Sequence, residues 1–577
     1  MQSVKERWAD SQLAELPIHK HIVGCYMNRA IIQCAIVWAL FAGTGFGETR
    51  QVPTEHATIQ AAIDACVAGD VVLIAPGTYT GDGNRDIDFK GKAITVRGEA
   101  GPESCIIDCN GMREDHHRGF LFHSGEGADS VLQDISIRNG YSDTGAGIFC
   151  DASSPTILNC IITHCTAYRS KGGGLGAGIY CYESDAVVRD CILTDNVAQP
   201  DDSPGGLGGY GGGIYCAKGA VVITHCLIKN NREGWSGAIH CLEASPEIRG
   251  CTILSNETSG VYCRTSKARI DDSSMIGNWQ YGVICEHDDH AVIENCVIHG
   301  GTGSGSGVNC GYSSPTIRHC LVAGNRYAAF EVNGGSPMIN SSTITGNVEV
   351  GLSCLGGCTC MVVNCIFWNI WNNKPLPCQI RINSYSSETP VCRISYSNVQ
   401  GGRNAVCVDR GVLDWGPGNI DADPCFADYG RWELDPNSPP PSNRKDGGGG
   451  RRFLWIDGDY HLKSQAGRWH PTSGSWVKDE ATSPCIDAGD PNSPVGEEPF
   501  PNGGRINMGA YGGTAEASKS YFREPVCKTV IAGDINGDCK VDFKDLTLMA
   551  VNWLRSPSRG SGGGPGDQNN MSPKKGR

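Results

Sequence analysis

The sequence predicts an all-β fold, a single-stranded parallel β-helix with rungs of about 22 residues. Three observations carry that expectation. A two-part phrase recurs along the chain. The strands inside it alternate with period two and leave no room for helices between them. Glycine, 78 of 577 residues, is roughly twice as frequent as usual, without a collagen period.

The first part of the phrase is G-x-G-I-[FY]-C or a relative, ending at Cys150, Cys181, Cys216, Cys241, Cys263, Cys285, Cys310 and Cys354. The second is an alternating strand ending at Cys160, Cys191, Cys226, Cys251, Cys296, Cys320 and Cys365. Cys241, Cys263 and Cys285 are 22 residues apart, and Val332 stands on the skipped rung between Cys310 and Cys354. A unit this short cannot hold a βαβ crossover, so consecutive units stack directly. About eleven turns at the interstrand spacing of roughly 4.8 Å make a rod of about 50 Å. The Gly-rich stretches 170–178 and 203–213 lengthen two early rungs, as groove walls or as flexible insertions.

Identical positions in such a coil form vertical columns. Two cysteine columns fit as small apolar core residues. In-register parallel neighbours point their Cβ atoms the same way, which suits a disulfide poorly, so thiol ladders are expected there. Bridges are expected outside the columns, at Cys105 with Cys109, or Cys358 with Cys360 or Cys378. A third column, Asn196, Asn231, Asn256, Asn278, Asn325, Asn347 and Asn369, is expected to turn the chain in the left-handed conformation.

Residues 27–47 have the layout of a secretory signal: Arg29, an apolar run from Ala30 to Ala42, then small residues. Residues 1–26 precede it and are expected to come from an upstream start codon, with Met27 the true start. No other stretch reaches 18 apolar residues, so no membrane span is expected in the mature chain. The formal charge of −14, with no basic block, argues against nucleic acid as a partner. The expected location is extracellular or at the cell surface, which 30 cysteines also favour.

Residues 57–68, ATIQAAIDACVA, place Ile59, Ala62, Ile63 and Cys66 at helical spacing, and Gly69-Asp70 ends the run. An end rung of a coil exposes apolar core and unpaired edges, so a helix that covers it is physically required. The phrase TIQAAIDACVAGDVVLIAPGTYTG, followed by KAITVRGEAGPESCIIDC, resembles the start of secreted right-handed β-helix proteins of the pectate-lyase-like superfamily. SPCIDAGDP (483–491) and RINMGAYGG (505–513) resemble closing phrases of bacterial members. The resemblance, from about residue 51 to 515, implies a right-handed coil. It implies no single activity, since lyases, hydrolases, epimerases, adhesins and inactive members share that fold.

Residues 534–545, DINGDCKVDFKD, space oxygen donors as a Ca²⁺ loop does: Asp534, Asn536, Asp538, the Lys540 carbonyl, Asp542 and Asp545. With the amphipathic run after it, the segment resembles half of a type I dockerin, which implies Ca²⁺ as cofactor and a cohesin-like or cell-surface partner. Cys539 replaces the usual glycine, and only one repeat is present.

No G-H-G accompanies the acidic residues, which argues against a polygalacturonase-type hydrolase. A polysaccharide lyase needs a base for the C5 proton of a uronic acid and a cation for its carboxylate. Two clusters offer such groups: REDHHR, with Arg113, His116, His117 and Arg118, and EHDDH, with Asp288 and Asp289. For both, the solvated turn is the preferred reading. Asp151, Glu183, Asp185 and Glu243 would form a cation-binding stripe if they align. Trp235, Trp279, Trp368 and Trp371 are candidates for stacking on sugars. The organisation expected is 51–110 N-cap helix and first rungs, 111–378 regular coil, 379–525 closing rungs and irregular C-cap, 527–555 dockerin-like Ca²⁺ module and 556–577 disordered tail. The function expected is extracellular carbohydrate binding or degradation, with a lyase acting on an acidic polysaccharide as the leading reading. The alternative is a non-catalytic glycan-binding or adhesion protein.

Overall fold

The computed structural model describes residues 47–203, 208–234, 236–287, 290–301, 303, 305–371, 374–434, 453–522 and 541–555. Three parallel sheets run the length of a coil. Sheet A has 15 strands, from Thr49–Val52 to Val412–Trp415. Sheet B has 13, from Gly77–Tyr79 to Asn398–Val399, and sheet C has 13, from Ile87–Asp88 to Val406–Val408. The coil is therefore longer than the eleven turns expected, because the rungs before Cys150 and after Cys365 lack the cysteine phrase but keep the strand register.

Period-two alternation places one aliphatic residue of each short strand inside. Ile223, Ile248, Ile270 and Ile293 stack on sheet A, and Leu193, Ile228 and Ile253 on sheet B, all buried. Each contributes about 1.5–3 kcal/mol by leaving water. On sheet C, Cys150, Cys181, Cys216, Cys241, Cys263, Cys285, Cys310, Val332 and Cys354 are in register as the repeat predicts. Column cysteines are free and buried. At the corner between sheets A and B the Cys251 thiol donates to the carbonyls of Arg249 and Ile223. On the next rung Ser273 takes the same place, and its hydroxyl accepts from the Cys251 N–H at 3.1 Å. The expected bridges are corrected. Cys105, Cys109, Cys358 and Cys360 are free, and Cys378 is bonded to Cys407, which faces it from the next strand of sheet C.

The asparagine column also differs from expectation. The left-handed residue at that corner is the one before it: Asp195 (φ 58°), Asn230 (φ 54°), Ser255 (φ 53°) and Gly277 (φ 62°). The asparagines themselves are buried and form an amide ladder. The Asn256 side-chain carbonyl accepts from the Asn231 backbone N–H at 2.9 Å and from its Nδ2 at 3.1 Å. Asn256 in turn donates to Asn278. A buried backbone N–H needs a partner, and each side chain supplies one to the rung before it.

Helix α1 (Ile59–Ala65) covers the open end with buried Ile59, Ala62 and Ile63, and the Thr58 hydroxyl caps it by accepting from the Ala61 N–H. At the other end the last strand of sheet A is Val412–Trp415, and the described chain after it leaves the three sheets. It folds back over the outer face of sheet B, where Phe426, Tyr460, Leu462, Ile486 and Met508 pack on Leu321, Ala323 and Ile366. The Trp455 ring lies on the backbone at Gly324 and Gly346, where an added Cβ would come within 2.2 and 2.1 Å of it. This cover leaves the faces of sheets A and C available in the later rungs. Helix α2 (Phe543–Arg555) follows residues outside those described. No described helix is long and apolar enough to cross a membrane.

Candidate functional site

The two lengthened rungs shape the site. The described residues of those rungs stack in order. Tyr141–Ser142, Thr166–Ala167 and Val197–Ala198 form a fourth small parallel sheet, extended by bridges from Thr144 to Leu175 and Leu175 to Tyr210. A Cβ at Gly173 would come within 2.1 Å of the Gly209 nitrogen, so glycine is needed where these layers touch. The result is a wall along one edge of sheet C.

Against that wall the REDHHR turn meets side chains from several rungs. The Arg113 guanidinium donates to the Tyr168 hydroxyl at 2.6 Å and to Asp202 Oδ2 at 3.2 Å, and the Tyr168 hydroxyl donates to the same carboxylate. The hydrogen bond to Asp202, with burial second, raises the Tyr168 pKa against the opposing Arg113 charge. Arg118 donates to Ser142 and Asp143 and lies 5.0 Å from the Phe149 ring centre. Burial lowers its pKa, opposed by the Asp143 and Asp86 charges. Burial raises Asp143, but the Arg118 charge and hydrogen bonds outweigh it, so the net shift is downward. His117 is held at Nδ1 by Asp86 at 2.6 Å, while its buried Nε2 lies 3.2 Å from Asp115 without hydrogen-bond geometry. His116 is exposed and packs on Tyr141, with ring centres 5.4 Å apart. Tyr141 lies 6.4 Å from Tyr168 on its other side. All four candidates in this turn therefore fall in one neighbourhood.

From Arg118 a column of rings runs along the outer face of sheet C: Phe149, Tyr180, Tyr215, His240 and Tyr262. Successive centres are 5.4, 5.4, 5.2 and 4.8 Å apart and nearly coplanar in tilt. The Tyr262 hydroxyl ends the column by donating to Glu286 Oε2 at 2.6 Å. The column thus links the REDHHR turn to the start of EHDDH, whose Asp288 and Asp289 lie outside the described residues. The column was missed at the sequence level. Its signal is the residue before each first-part cysteine, which reads F, Y, Y, H, Y over consecutive units.

Beneath the wall sits Glu233, 6% exposed. Its Oε2 accepts from the Gly212 N–H at 3.0 Å, and Oε1 is hydrogen-bonded to the Thr258 hydroxyl. Burial raises its pKa to about 8, so the carboxyl is protonated near neutrality. Burial pushes His240 down to about 3, with Arg264 adding, so it is a neutral ring in the stack.

The acidic stripe is corrected. Glu183 and Glu243 share a column of left-handed turn residues with Ala152, Lys218, Thr265 and Tyr312, so acids are not continuous along it. Asp185 accepts from the Ala220 N–H at 2.8 Å. Among the described residues no group of three or more His, Cys, Asp or Glu side chains has the geometry of a metal site. Trp279 is exposed, whereas Trp368 packs under the C-terminal cover. Trp235 and the Trp371 side chain lie outside the described residues, as do Asp534, Asn536, Asp538 and Lys540. Asp542 and Asp545 are described. Asp545 accepts from the Asp542 N–H at 2.7 Å, and Asp542 caps α2 by accepting from the Lys544 N–H at 2.7 Å.

No curated protein matches the chain. Among solved structures, pectate lyase Pel9A is 14% identical, over 81% of this chain and 97% of that one, at a TM-score of 0.32. A PL6 alginate lyase in complex with trisaccharide is 12% identical, over 66% and 86%, at 0.39. The periplasmic alginate epimerase AlgG is 10% identical, over 61% and 83%, at 0.36. A family model described as "Disaggregatase related" matches residues 455–489. The model described as "Right handed beta helix region" matches residues 71–253 and 233–367, together just over half of the chain. With the three in-register parallel sheets, that match places the chain in the right-handed β-helix family.

Proposed function

We propose that the chain is an extracellular carbohydrate-active protein that binds an acidic polysaccharide beside the wall of sheet C and cleaves it by elimination. One observation carries this reading: two arginines, two histidines, two tyrosines and several carboxylates from consecutive rungs converge on a single open edge. A uronate is recognised through its carboxylate, for which a partly exposed guanidinium such as Arg113 is suited. Both arginines are engaged with carboxylates, so they serve as charge partners rather than as the base. Proton abstraction falls to the exposed His116, whose imidazole takes the C5 proton as the C4–O bond breaks and a C4=C5 double bond forms. Tyr168, beside Asp202, gives its proton to the departing O4. Tyr141, between His116 and Tyr168, is the surface on which a sugar lies.

The test is ultraviolet absorbance of unsaturated uronides on pectate, alginate, ulvan and chondroitin. The expected result is product from at least one, lost at least tenfold in His116→Ala and Tyr168→Phe, with weaker substrate binding in Arg113→Ala. No absorbance on any of the four, together with glycan-array binding unaffected by Arg113→Ala, would overturn the reading in favour of non-catalytic adhesion.

The Ca²⁺ loop at 534–545 is part of the same proposal. Ca²⁺ would be held by Asp534, Asn536, Asp538, the Lys540 carbonyl, Asp542 and Asp545, ordering the turn that leads into α2. Exposed Phe543, Leu546 and Met549 support a cohesin-like or cell-surface partner on that helix. Calorimetric titration of the full chain with Ca²⁺ should show one site that Asp542→Ala abolishes.

A further inference from the structure

The loop at residues 81–86 is fastened to helix α1 at the start of the coil. Asn84 Oδ1 accepts from the Ile59 N–H at 3.1 Å, and the Gly83 carbonyl accepts from the Gln60 N–H at 2.9 Å. A Cβ at Gly83 would come within 2.8 Å of the Thr58 hydroxyl, so the loop lies directly on the cap of the helix. Its last residue, Asp86, stands one position before Ile87–Asp88, the first strand of sheet C.

Asp86 grips the REDHHR turn at three points. Its N–H donates to the Arg118 carbonyl at 2.7 Å. Its Oδ1 accepts from the Arg118 N–H at 2.9 Å, and its Oδ2 is hydrogen-bonded to His117 Nδ1 at 2.6 Å. With Nδ1 engaged and Nε2 buried, the His117 ring is an anchor for the turn. His116, next to it in the chain, is exposed and rests against Tyr141. Arg113 is held separately, by Tyr168 and Asp202, and neither belongs to the 81–86 loop.

We propose, resting on the elimination reading above, that Asp86 is the positioning residue for the base: through His117 and Arg118 it fixes where His116 stands, from a loop tied to helix α1. A reacting nitrogen misplaced by about 1 Å costs up to about 100-fold in rate, and a turn gripped from a rigid element is protected from that loss. Because Arg113 has its own partners, substrate affinity does not depend on Asp86. The cap helix thus serves the site as well as the end of the coil.

The test compares the full chain with Asp86→Gly and Asp86→Asn. Asp86 is left-handed, at φ 51°, which glycine and asparagine both accept, so neither variant strains the backbone. Glycine removes the side-chain grip. Asparagine keeps an acceptor for the Arg118 N–H and places an amide at His117. Ultraviolet absorbance of unsaturated uronides gives kcat and KM. Diethylpyrocarbonate labelling of His116 and His117, read by mass spectrometry, needs no activity. In the parent, His117 should label about tenfold more slowly than His116, since neither of its nitrogens is open to the reagent. In Asp86→Gly the two rates should converge, kcat should fall about tenfold or more, and KM should stay within about threefold. Asp86→Asn should bring kcat back to within about threefold of the parent. Retained kcat with retained His117 protection in Asp86→Gly would overturn the proposal. So would an asparagine variant as slow as the glycine one, which would make charge the requirement. No product from the parent, with His117 protection lost in Asp86→Gly, would refute elimination and keep Asp86 as the anchor of the turn.

Discussion

Replacing Glu233 with glutamine should stabilise the protein near neutral pH and leave it almost unchanged in mild acid. The folded chain holds the Glu233 proton up to about pH 8, because burial raises the pKa from the ordinary 4.5 more than Thr258 and the Gly212 N–H lower it. The unfolded chain releases that proton near the ordinary value. Between the two the folded state binds more protons, so stability falls as pH rises from about 4.5 to about 8 and is flat outside that window. Each unit corresponds to about 1.4 kcal/mol, so the penalty at pH 7 is about 3 kcal/mol. Glu233→Gln removes the ionisation and retains an acceptor for Gly212. With unfolding entropy of about 2 cal/mol/K per residue over the folded length, about 3 kcal/mol corresponds to a Tm shift of about 3 °C. Thermal melts of both proteins at pH 5 and pH 7 measure it. The gap should open from under about 1 °C to about 3 °C. A gap that does not change with pH, or that closes as pH rises, refutes the argument that this carboxyl is buried and protonated.

Asn256→Ala removes the acceptor of two Asn231 donors inside the coil and should cost about 2–5 kcal/mol. Chemical denaturation reads the loss, and hydrogen exchange should place it at the rungs around residues 231–278. Cys251→Ser should stay within about 1 kcal/mol of the parent in the same denaturation assay, since Ser273 fills the equivalent corner on the next rung.

The columns were legible because a solenoid repeats its environments, so one side chain's surroundings are written many times. The asparagine column shows where that legibility stops. Recurrence marks a special corner but does not say which of two adjacent residues adopts the left-handed conformation. Here the preceding position, occupied by Asp195, Asn230, Ser255 and Gly277, turns the chain, and asparagine recurs because buried N–H groups need its carbonyl. The REDHHR turn was visible as a knot of charge, but its partners were not. Tyr168 and Asp202 lie 55 and 89 residues from Arg113, just ahead of stretches that read only as glycine-rich insertions. The fold-back over sheet B was illegible for a similar reason. Its contacts rest on single residues such as Trp455 above Gly324 and Gly346, which no repeat announces.

The same contrast bears on where chemistry can arise in this chain. A regular coil brings like residues together: thiol beside thiol, amide beside amide, ring beside ring. Catalysis requires unlike groups at one point, an acid near a base and a cation near both. In this coil unlike groups meet where the period is broken. The interval from Cys150 to Cys181 contains Tyr168, and that from Cys181 to Cys216 contains Asp202. Both reach back across the rungs to Arg113. The insertions are therefore more than decoration on a binding face. Shortening 199–213 to the regular period would remove Asp202 and leave Arg113 and Tyr168 without their shared carboxylate, while the cysteine, asparagine and aliphatic columns stayed in register. On this argument activity should be lost with the coil intact, which separates the role of the wall in chemistry from any role in folding.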